Sequence, residues 1–380
     1  MTPLTPPQSQ ASPIHLDTLD GIKIVGCLLI VCYHFFPYIG GTSGQYFFWP
    51  LRNARVMVDV FFIISGIVIA HNYGGKIKSG SSYADFMKRR IARLYPLHLA
   101  TLLFYSIIGL AIAVGYLHVA IERKYDFNEW LPNFFMIQAW GFSQKTAFNF
   151  PSWSVSAEFF AYLSFPLVYG LVARSSTIAI ITIIILFAAG IAFSELQVGR
   201  NLSDLTVPWS IFRSLPSFCV GVALFRYHNQ LPHLQIKVLR MAFLGSAALF
   251  VLAMLFIENS YVLLATATLF VATAFLVDRD GIHSVLSTKT LVRSAYLTYP
   301  IYMLHAPIAT IFIAFIFPRT LGTLFSIEWV RIICILSSIV ITIIVSWISY
   351  RYFEKPMRNT INLIQIKKKL NVNAKTKIVY

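Results

Sequence analysis

The sequence predicts an all-α integral membrane protein of about ten transmembrane helices with both termini in the cytoplasm. The 380 residues are 57% hydrophobic and only 12% charged, whereas soluble domains are about 45–50% apolar and about 25% charged. Apolar runs of about 18 or more residues, the length that crosses the hydrocarbon core as a helix, recur along nearly the whole chain. Runs such as 177–193 are apolar on every face, whereas barrel strands alternate apolar and polar residues. These observations exclude a soluble enzyme and a β-barrel.

The hydrophobic runs place the spans in order along the chain. Their predicted limits are residues 22–40, 56–73, 97–118, 153–173, 177–194, 209–227, 239–257, 260–277, 296–317 and 330–353.

The first run is expected to remain as a helix, because residues 1–20 lack the charged n-region and the small-residue cleavage site of a signal peptide. We expect a disordered cytoplasmic tail over 1–16, a transmembrane domain over 17–358 that carries any chemistry, and a basic cytoplasmic tail over 359–380. The last helix is expected to end at 354–356, because Pro356 disfavours helix at the residue before it.

The charge distribution predicts the orientation of the bundle. With both termini inside, about 21 of the 31 Lys and Arg residues lie in inside segments and about 7 in outside loops, the asymmetry expected of cytoplasmic loops. The formal net charge of +16 is therefore explained by the membrane topology and by contact with anionic membrane lipids, and not by binding of nucleic acid. The longest outside loop, about 119–152, is aromatic, which suits either a lid over the outer face or an interfacial aromatic belt.

The cysteines and the metal-ligand residue types predict no special chemistry. All four cysteines lie inside apolar runs, without a CxxC motif and without a set of His, Asp or Glu at ligand spacing. Neither a disulfide nor a metal site is therefore expected.

His34 is the first of three polar clusters inside the spans, where ionisable residues are costly and mark functional sites. It follows Asp17, Asp20 and Lys23 on the same predicted helix. Lys23 and His34 are roughly 16 Å apart along a helix, so His34 is expected in the outer half of the membrane. A histidine takes and returns a proton near neutral pH and can act as a general base. The alternative is a histidine that bonds a neighbouring helix for packing.

The second cluster is a basic segment, 88–96, at the cytoplasmic entrance of the third span. Arg90 and Arg93 are three residues apart and share one helical face. Two neighbouring guanidinium groups can bind a diphosphate bidentately, as in a nucleotide-like cofactor. The alternative is a pair of charges that contact lipid headgroups at a cytoplasmic helix end.

The third cluster surrounds Glu158, which lies about one turn inside the fourth span. Ser154 and Tyr162 fall on its helical face, four residues before and after it. A carboxylate inside the membrane needs such partners or a water-filled cavity. The sequence leaves two roles open for Glu158, a catalytic role and a structural role as a hydrogen-bond node. A base and a carboxylate on the outer side, with a phosphate clamp on the inner side, outline a reaction path across the membrane.

An ordered set of short segments resembles acyltransferase family 3, the membrane O-acyltransferases that modify cell-surface glycans and some antibiotics. The resemblance runs from Leu16 to about Arg358. Its segments are LDGIK at 19–23 with YHF at 33–35, VDVFFIISG at 58–66, the Arg90 and Arg93 pair followed by Pro96, SVSAE at 154–158, YPIYMLHAP at 299–307 and YFEKPMR at 352–358. Lys23 stands where the family usually has arginine, so the charge is kept and the bidentate fork is lost.

The resemblance implies acyl transfer across the bacterial inner membrane. An acyl-CoA, expected to be acetyl-CoA, would bind from the cytoplasm with its phosphates on Arg90, Arg93 and Lys23. His34 would act as general base on a hydroxyl of an extracytoplasmic glycan or glycolipid, and Glu158 would orient His34 or balance its charge. No metal is implied. An antibiotic-like small molecule as acceptor is the nearest alternative; a glycan-lipid transporter and a membrane scaffold are others.

Four residues are expected to line the substrate path. They are Asp59, Ser65, Ser154 and Tyr162, and the Ser65-Gly66 pair should allow close helix approach. Arg213 lies near a span end, where its side chain can snorkel to the interface. His305 is interpreted as a structural, hydrogen-bonding histidine.

Overall fold

The computed structural model describes residues 14–39, 48–117, 122–316 and 327–363. Most of both predicted tails lies outside these residues, as does part of the 119–152 loop. All regular secondary structure in the described residues is helical, and these residues form no β-strand. This confirms the predicted all-α membrane fold.

Ten main helices follow one another along the described part of the chain. They are α1 Asp17–Phe35, α2 Met57–Tyr73, α3 Gly80–Ala113, α4 Ser152–Val172, α5 Ser176–Phe193, α6 Ile211–Arg226, α7 Ile236–Phe256, α8 Ser260–Arg279, α9 Thr298–Ile308 and α10 Ile327–Ser349. In the described ranges, nine helices are long and apolar enough to cross a membrane. The remaining one, α6, has 16 residues and packs against α2, α4 and α5.

Helix α1 begins against the end of α8. The Asp278 carboxylate accepts hydrogen bonds from the backbone N–H groups of Thr18 (2.8 Å) and Leu19 (3.0 Å). These donors have no partner within their own helix, so a side-chain acceptor satisfies them. The contact fixes the level at which α1, and therefore Lys23 and His34, enters the bundle.

Helix α3 is much longer than the predicted span 97–118. A capping box between Ser79 and Ser82 starts it at Gly80, and it runs for 34 residues through Pro96. Its length is roughly 51 Å, well beyond the roughly 30 Å hydrocarbon core. Arg90 and Arg93 therefore lie within a continuous helix, and not at its entrance.

Helices α2 and α6 cross at unusually close range. A Cβ atom on Gly66 would lie 2.1 Å from the Phe218 carbonyl oxygen, and one on Gly221 would lie 2.0 Å from the Ile63 carbonyl oxygen. Only glycine permits this approach of two backbones. The close approach expected at Ser65-Gly66 is thus confirmed, and it fixes the position of Ser65 beside α4.

The expectation that the last helix ends at 354–356 is wrong. The chain widens into a π-helical turn at Tyr350–Glu354 and continues as helix to Leu363. Proline removes a backbone donor and its ring crowds the carbonyl four residues before it. The wider turn relieves that crowding at Pro356, so the helix continues and carries Arg358 with it.

Candidate active site

A cavity with about 890 Å³ of empty space including its mouth opens between α1, α2, α3, α4 and α9. It is called the main cavity below because most of the predicted site residues line it. Seven of the nine predicted site residues line it: Lys23, Ser65, Arg90, Arg93, Ser154, Glu158 and Tyr162. His34 and Asp59 do not belong to this lining. The structure therefore brings together side chains from four helices that the sequence had suggested one by one.

Glu158 is bound by hydroxyl groups of two helices. Its Oε1 atom accepts a hydrogen bond from Ser65 Oγ at 2.7 Å and another from the Tyr162 hydroxyl. The second bond follows from the i+4 spacing on α4, whereas Ser65 comes from α2. Ser154, at i−4, instead bonds the Tyr302 hydroxyl at 2.7 Å. Glu158 thus belongs to the cavity and is not bonded to His34.

Arg90 is held in an aromatic setting. Its Nη2 atom donates to the Tyr73 hydroxyl at 3.0 Å, and its guanidinium lies 5.2–5.8 Å from the ring centroids of Tyr73, Phe86 and Tyr162. Cation–π contacts of this kind orient a guanidinium without neutralising it. The remaining donors of Arg90 are available to an anion in the cavity.

Lys23 and Arg93 lie at the mouth of the cavity. Lys23 Nζ is 2.5 Å from Asp20 Oδ1, so its charge is partly balanced. Arg93 forms no salt bridge with a carboxylate of the described ranges, and its side chain is exposed. The end of the bundle that carries Lys23, Arg93, Arg293 and Arg358 is called the basic face below.

His34 is bonded to a second histidine. Its Nδ1 atom lies 2.9 Å from His305 Nε2, and the two rings are parallel to within 3°. His305 is fully buried, whereas His34 is partly exposed. Because Nδ1 of His34 is engaged, Nε2 is the ring nitrogen left to meet a substrate.

Sequence reasoning gave His305 no chemical role, and the structure shows its partner. The depth of His305 along its helix could have predicted this contact. His305 lies six residues beyond Tyr299 on α9, roughly 9 Å along the helix axis, which places it in the outer half beside His34. Phe150 stands edge-on to His34, with ring centroids 4.9 Å apart. It follows Asn149, whose amide donates to the Met303 carbonyl at 3.0 Å. The end of the aromatic loop therefore packs on the histidine pair.

Tyr302 lies between the cavity and the histidine pair. It lines the cavity, and its hydroxyl is 2.7 Å from Ser154 Oγ and 3.2 Å from the Pro151 carbonyl oxygen. Its ring centroid is 5.8 Å from that of His305. One helical turn of α9 thus separates the lining of the cavity from the two histidines.

Asp59 lies apart from the cavity in a buried ion pair. Arg213 donates from Nε and Nη2 to its two carboxylate oxygens at 2.9 and 2.7 Å, and both side chains are at most 3% exposed. The guanidinium also stacks over Trp153, with its carbon 5.2 Å from the ring centroid. The expectation that Arg213 snorkels is wrong, because this carboxylate satisfies its charge inside the bundle. The pair joins α2 to α6.

A family model described as an acyltransferase domain matches residues 16–351, which contain every residue named above for the cavity and the histidine pair. The chain belongs to acyltransferase family 3. The acyltransferase MdmB of Streptomyces mycarofaciens is 30% identical over 167 residues, 42% of this chain and 41% of that protein. Protein 2 in the picA locus of Rhizobium radiobacter is 34% identical over 122 residues, 30% of this chain and 60% of that protein.

A third relative, an uncharacterized protein of Haemophilus influenzae, is 31% identical over 186 residues, 45% of this chain and 75% of that protein. The alignments with the first two relatives thus span less than two thirds of their length. No solved structure matches this acyltransferase family 3 protein.

The remaining chemistry of this acyltransferase family 3 protein is limited. Across the described ranges, no group of three or more His, Cys, Asp or Glu side chains is arranged to hold a metal ion. The four cysteines are free thiols. The described site itself offers the arginines, hydroxyl groups and Glu158 carboxylate of the cavity, together with the histidine pair.

Proposed function

We propose that the protein transfers an acetyl group from cytoplasmic acetyl-CoA to a hydroxyl of an extracytoplasmic glycan, across the bacterial inner membrane. The glycan is a polysaccharide, an O-antigen or a lipid-linked oligosaccharide. One observation carries the proposal: a cavity with two arginines in its wall reaches to within one helical turn of a histidine pair. The basic face is then the cytoplasmic side, in agreement with the distribution of Lys and Arg.

The size of the donor supports this arrangement. A diphosphate on Arg90 and Arg93 leaves the pantetheine arm to extend between the helices. That arm has about twelve backbone bonds, equivalent to roughly four extended residues or 14 Å. Lys23 and His34 are roughly 16 Å apart along α1, so an extended arm brings the thioester close to the histidine pair.

In the proposed reaction, His34 Nε2 takes the proton of the acceptor hydroxyl while its oxygen attacks the thioester carbonyl carbon. The new carbon–oxygen bond forms and the carbon–sulfur bond breaks, so CoA leaves as a thiolate. The proton then passes from His34 to the thiolate, which departs as a thiol. His305 accepts a hydrogen bond from Nδ1–H of the charged His34 and stabilises it. In this reaction Glu158 has a positioning role: it accepts a hydrogen bond from Tyr162, whose ring is in contact with the Arg90 guanidinium.

The experiment measures release of free CoA thiol from acetyl-CoA by the purified protein in nanodiscs, with and without glycan extract. We expect acceptor-dependent release that falls at least 100-fold in His34→Ala. The double variant Arg90→Ala/Arg93→Ala should mainly raise KM for acetyl-CoA. His98→Gln is the matched control, because His98 is also a buried histidine, bonded to the Asn133 carbonyl at 2.7 Å and away from the cavity.

Two results would contradict the proposal in different ways. Unchanged turnover in His34→Ala would remove the base assigned here. Absence of thiol release with every acceptor, together with glycolipid accumulation in proteoliposomes, would favour transport. Thiol release with small hydrophobic alcohols and none with glycans would keep the acyl transfer and replace the acceptor.

A further inference from the structure

A second cavity, with about 1120 Å³ of empty space including its mouth, lies at the basic face beside the main one. The two share Lys23, Arg93, Ala295 and Tyr299 as wall residues. Tyr299 is fixed at this junction, since its hydroxyl donates to the Leu94 carbonyl at 2.5 Å. The two cavities are therefore adjacent, and Tyr299 belongs to the wall that they share.

The charge of this second cavity favours an anion. Its lining has four cationic side chains, those of Lys23, Arg93, Arg293 and Arg358, against the two carboxyl groups of Asp20 and Glu354. Lys23 and Asp20 pair with each other. Three guanidinium groups therefore stand against a single carboxyl group, and guanidinium groups bind phosphate oxygens in a bidentate manner.

The second cavity also presents an aromatic surface. Tyr296 and Tyr350 both line it, with ring centroids 4.3 Å apart and an angle of 38° between the planes. Tyr296 is 42% exposed, and the Arg358 guanidinium carbon lies 6.0 Å from the Tyr350 ring centroid. Aromatic side chains and guanidinium planes are the surfaces on which nucleobases stack. A phospholipid headgroup offers phosphate and no such ring.

We propose that this second cavity binds the adenosine 3′-phosphate end of the acyl donor. The inference rests on the proposed function and adds residues to it. The purine stacks on Tyr296, Arg293 and Arg358 bind the 3′-phosphate, and Arg93, which borders both cavities, binds the diphosphate together with Arg90. The pantetheine arm then enters the main cavity past Tyr299.

Binding of adenosine 3′,5′-bisphosphate tests this inference without acyl chemistry. Its affinity is measured by calorimetry on the protein in phosphatidylcholine nanodiscs. We expect Arg293→Gln and Arg358→Gln each to weaken binding at least tenfold, and Tyr296→Ala to weaken it more than Tyr296→Phe. Arg240→Gln is the control, since Arg240 is exposed at the start of α7 and lines neither cavity; it should change affinity less than twofold.

A kinetic comparison separates this inference from the proposed function. Arg293→Gln should raise KM for acetyl-CoA at least tenfold and leave KM for acetyl-phosphopantetheine, which lacks the nucleotide, unchanged. Affinities that change no more than in Arg240→Gln would overturn the nucleotide site, while thiol release by the wild type would leave the proposed function intact. Displacement of the bisphosphate in proportion to added phosphatidylglycerol would also overturn it, because the second cavity would then be a lipid site. If an arginine variant does not fold, the Tyr296 pair of variants decides.

Discussion

Replacement of His305 by phenylalanine tests whether the two histidines act as one unit. Phenylalanine keeps a ring in a fully buried position and removes the Nε2 atom that lies 2.9 Å from His34 Nδ1. In the proposed reaction that contact becomes a hydrogen bond from a charged imidazolium, which contributes about 1.5–3 kcal/mol. At about 1.4 kcal/mol for each factor of ten in rate, kcat should fall about 10- to 150-fold.

The same variant should leave KM for acetyl-CoA unchanged, because Arg90 and Arg93 are untouched. His305→Gln should recover most of kcat, since an amide oxygen can accept the hydrogen bond from His34 Nδ1. A purely structural histidine would show the opposite order, because phenylalanine fills a buried site better than a primary amide does.

The assay is thiol release at saturating acceptor in nanodiscs, with thermal unfolding recorded for each variant so that unfolded protein is not scored as inactive. His98→Gln serves again as the buried-histidine control and should keep kcat within twofold. Wild-type kcat in His305→Phe would refute the coupling of the two rings, as would a loss expressed only in KM.

Three further predictions concern stability. Asp59→Ala leaves Arg213 charged and unpaired inside the bundle, a cost of about 3–5 kcal/mol, so the unfolding temperature should fall sharply. Asp59→Leu/Arg213→Met removes both charges and should recover much of the loss. Equal losses in the two variants would show that the unpaired charge is not its cause. Gly221→Ala brings a Cβ 2.0 Å from a carbonyl oxygen of α2 and should abolish the folded fraction on size exclusion, whereas Gly245→Ala, with open space around it, should be neutral or better. Burial lowers the pKa of Lys124 to about 8, below its unfolded value of about 10.4. Between these two pH values the folded state binds fewer protons than the unfolded state, so the free energy of unfolding rises from about pH 8 to 10. Lys124→Met should raise the unfolding temperature at pH 7 by an amount that shrinks toward pH 10, and a pH-independent difference would contradict the burial argument.

The order and approximate limits of the helices could be predicted because each follows from a local property, the length of an apolar run. The predicted limits of two helices were wrong, because a cap or a change of helix type, and not the length of the apolar run, sets where the first of them begins and the second ends. Helix α3 extends back to Gly80, well before its apolar run begins, because a capping box at Ser79 starts the helix there. The last helix passes Pro356 because a π-helical turn removes the steric conflict.

The site was predictable to the extent that its contacts are local. The bond from Tyr162 to Glu158 follows from i+4 spacing, and the shared face of Arg90 and Arg93 follows from i+3. The bonds of Ser65 to Glu158, 93 residues apart, and of His305 to His34, 271 residues apart, depend on which helices become neighbours. No periodicity in a single sequence contains that information.

The position of Tyr302 between the main cavity and the histidine pair has a consequence for the energetics of the membrane. In the proposed reaction an acetyl group leaves toward the outer side while a hydrogen returns on the thiol, so the exchange is electrically neutral. The membrane voltage, which does work only on moving charge, therefore neither drives nor opposes turnover. Tyr302, whose hydroxyl is bonded to Ser154 Oγ and the Pro151 carbonyl oxygen, lies on this route between the cavity and the histidine pair. In that reaction the thioester supplies the free energy of the transfer, and no net charge crosses the membrane.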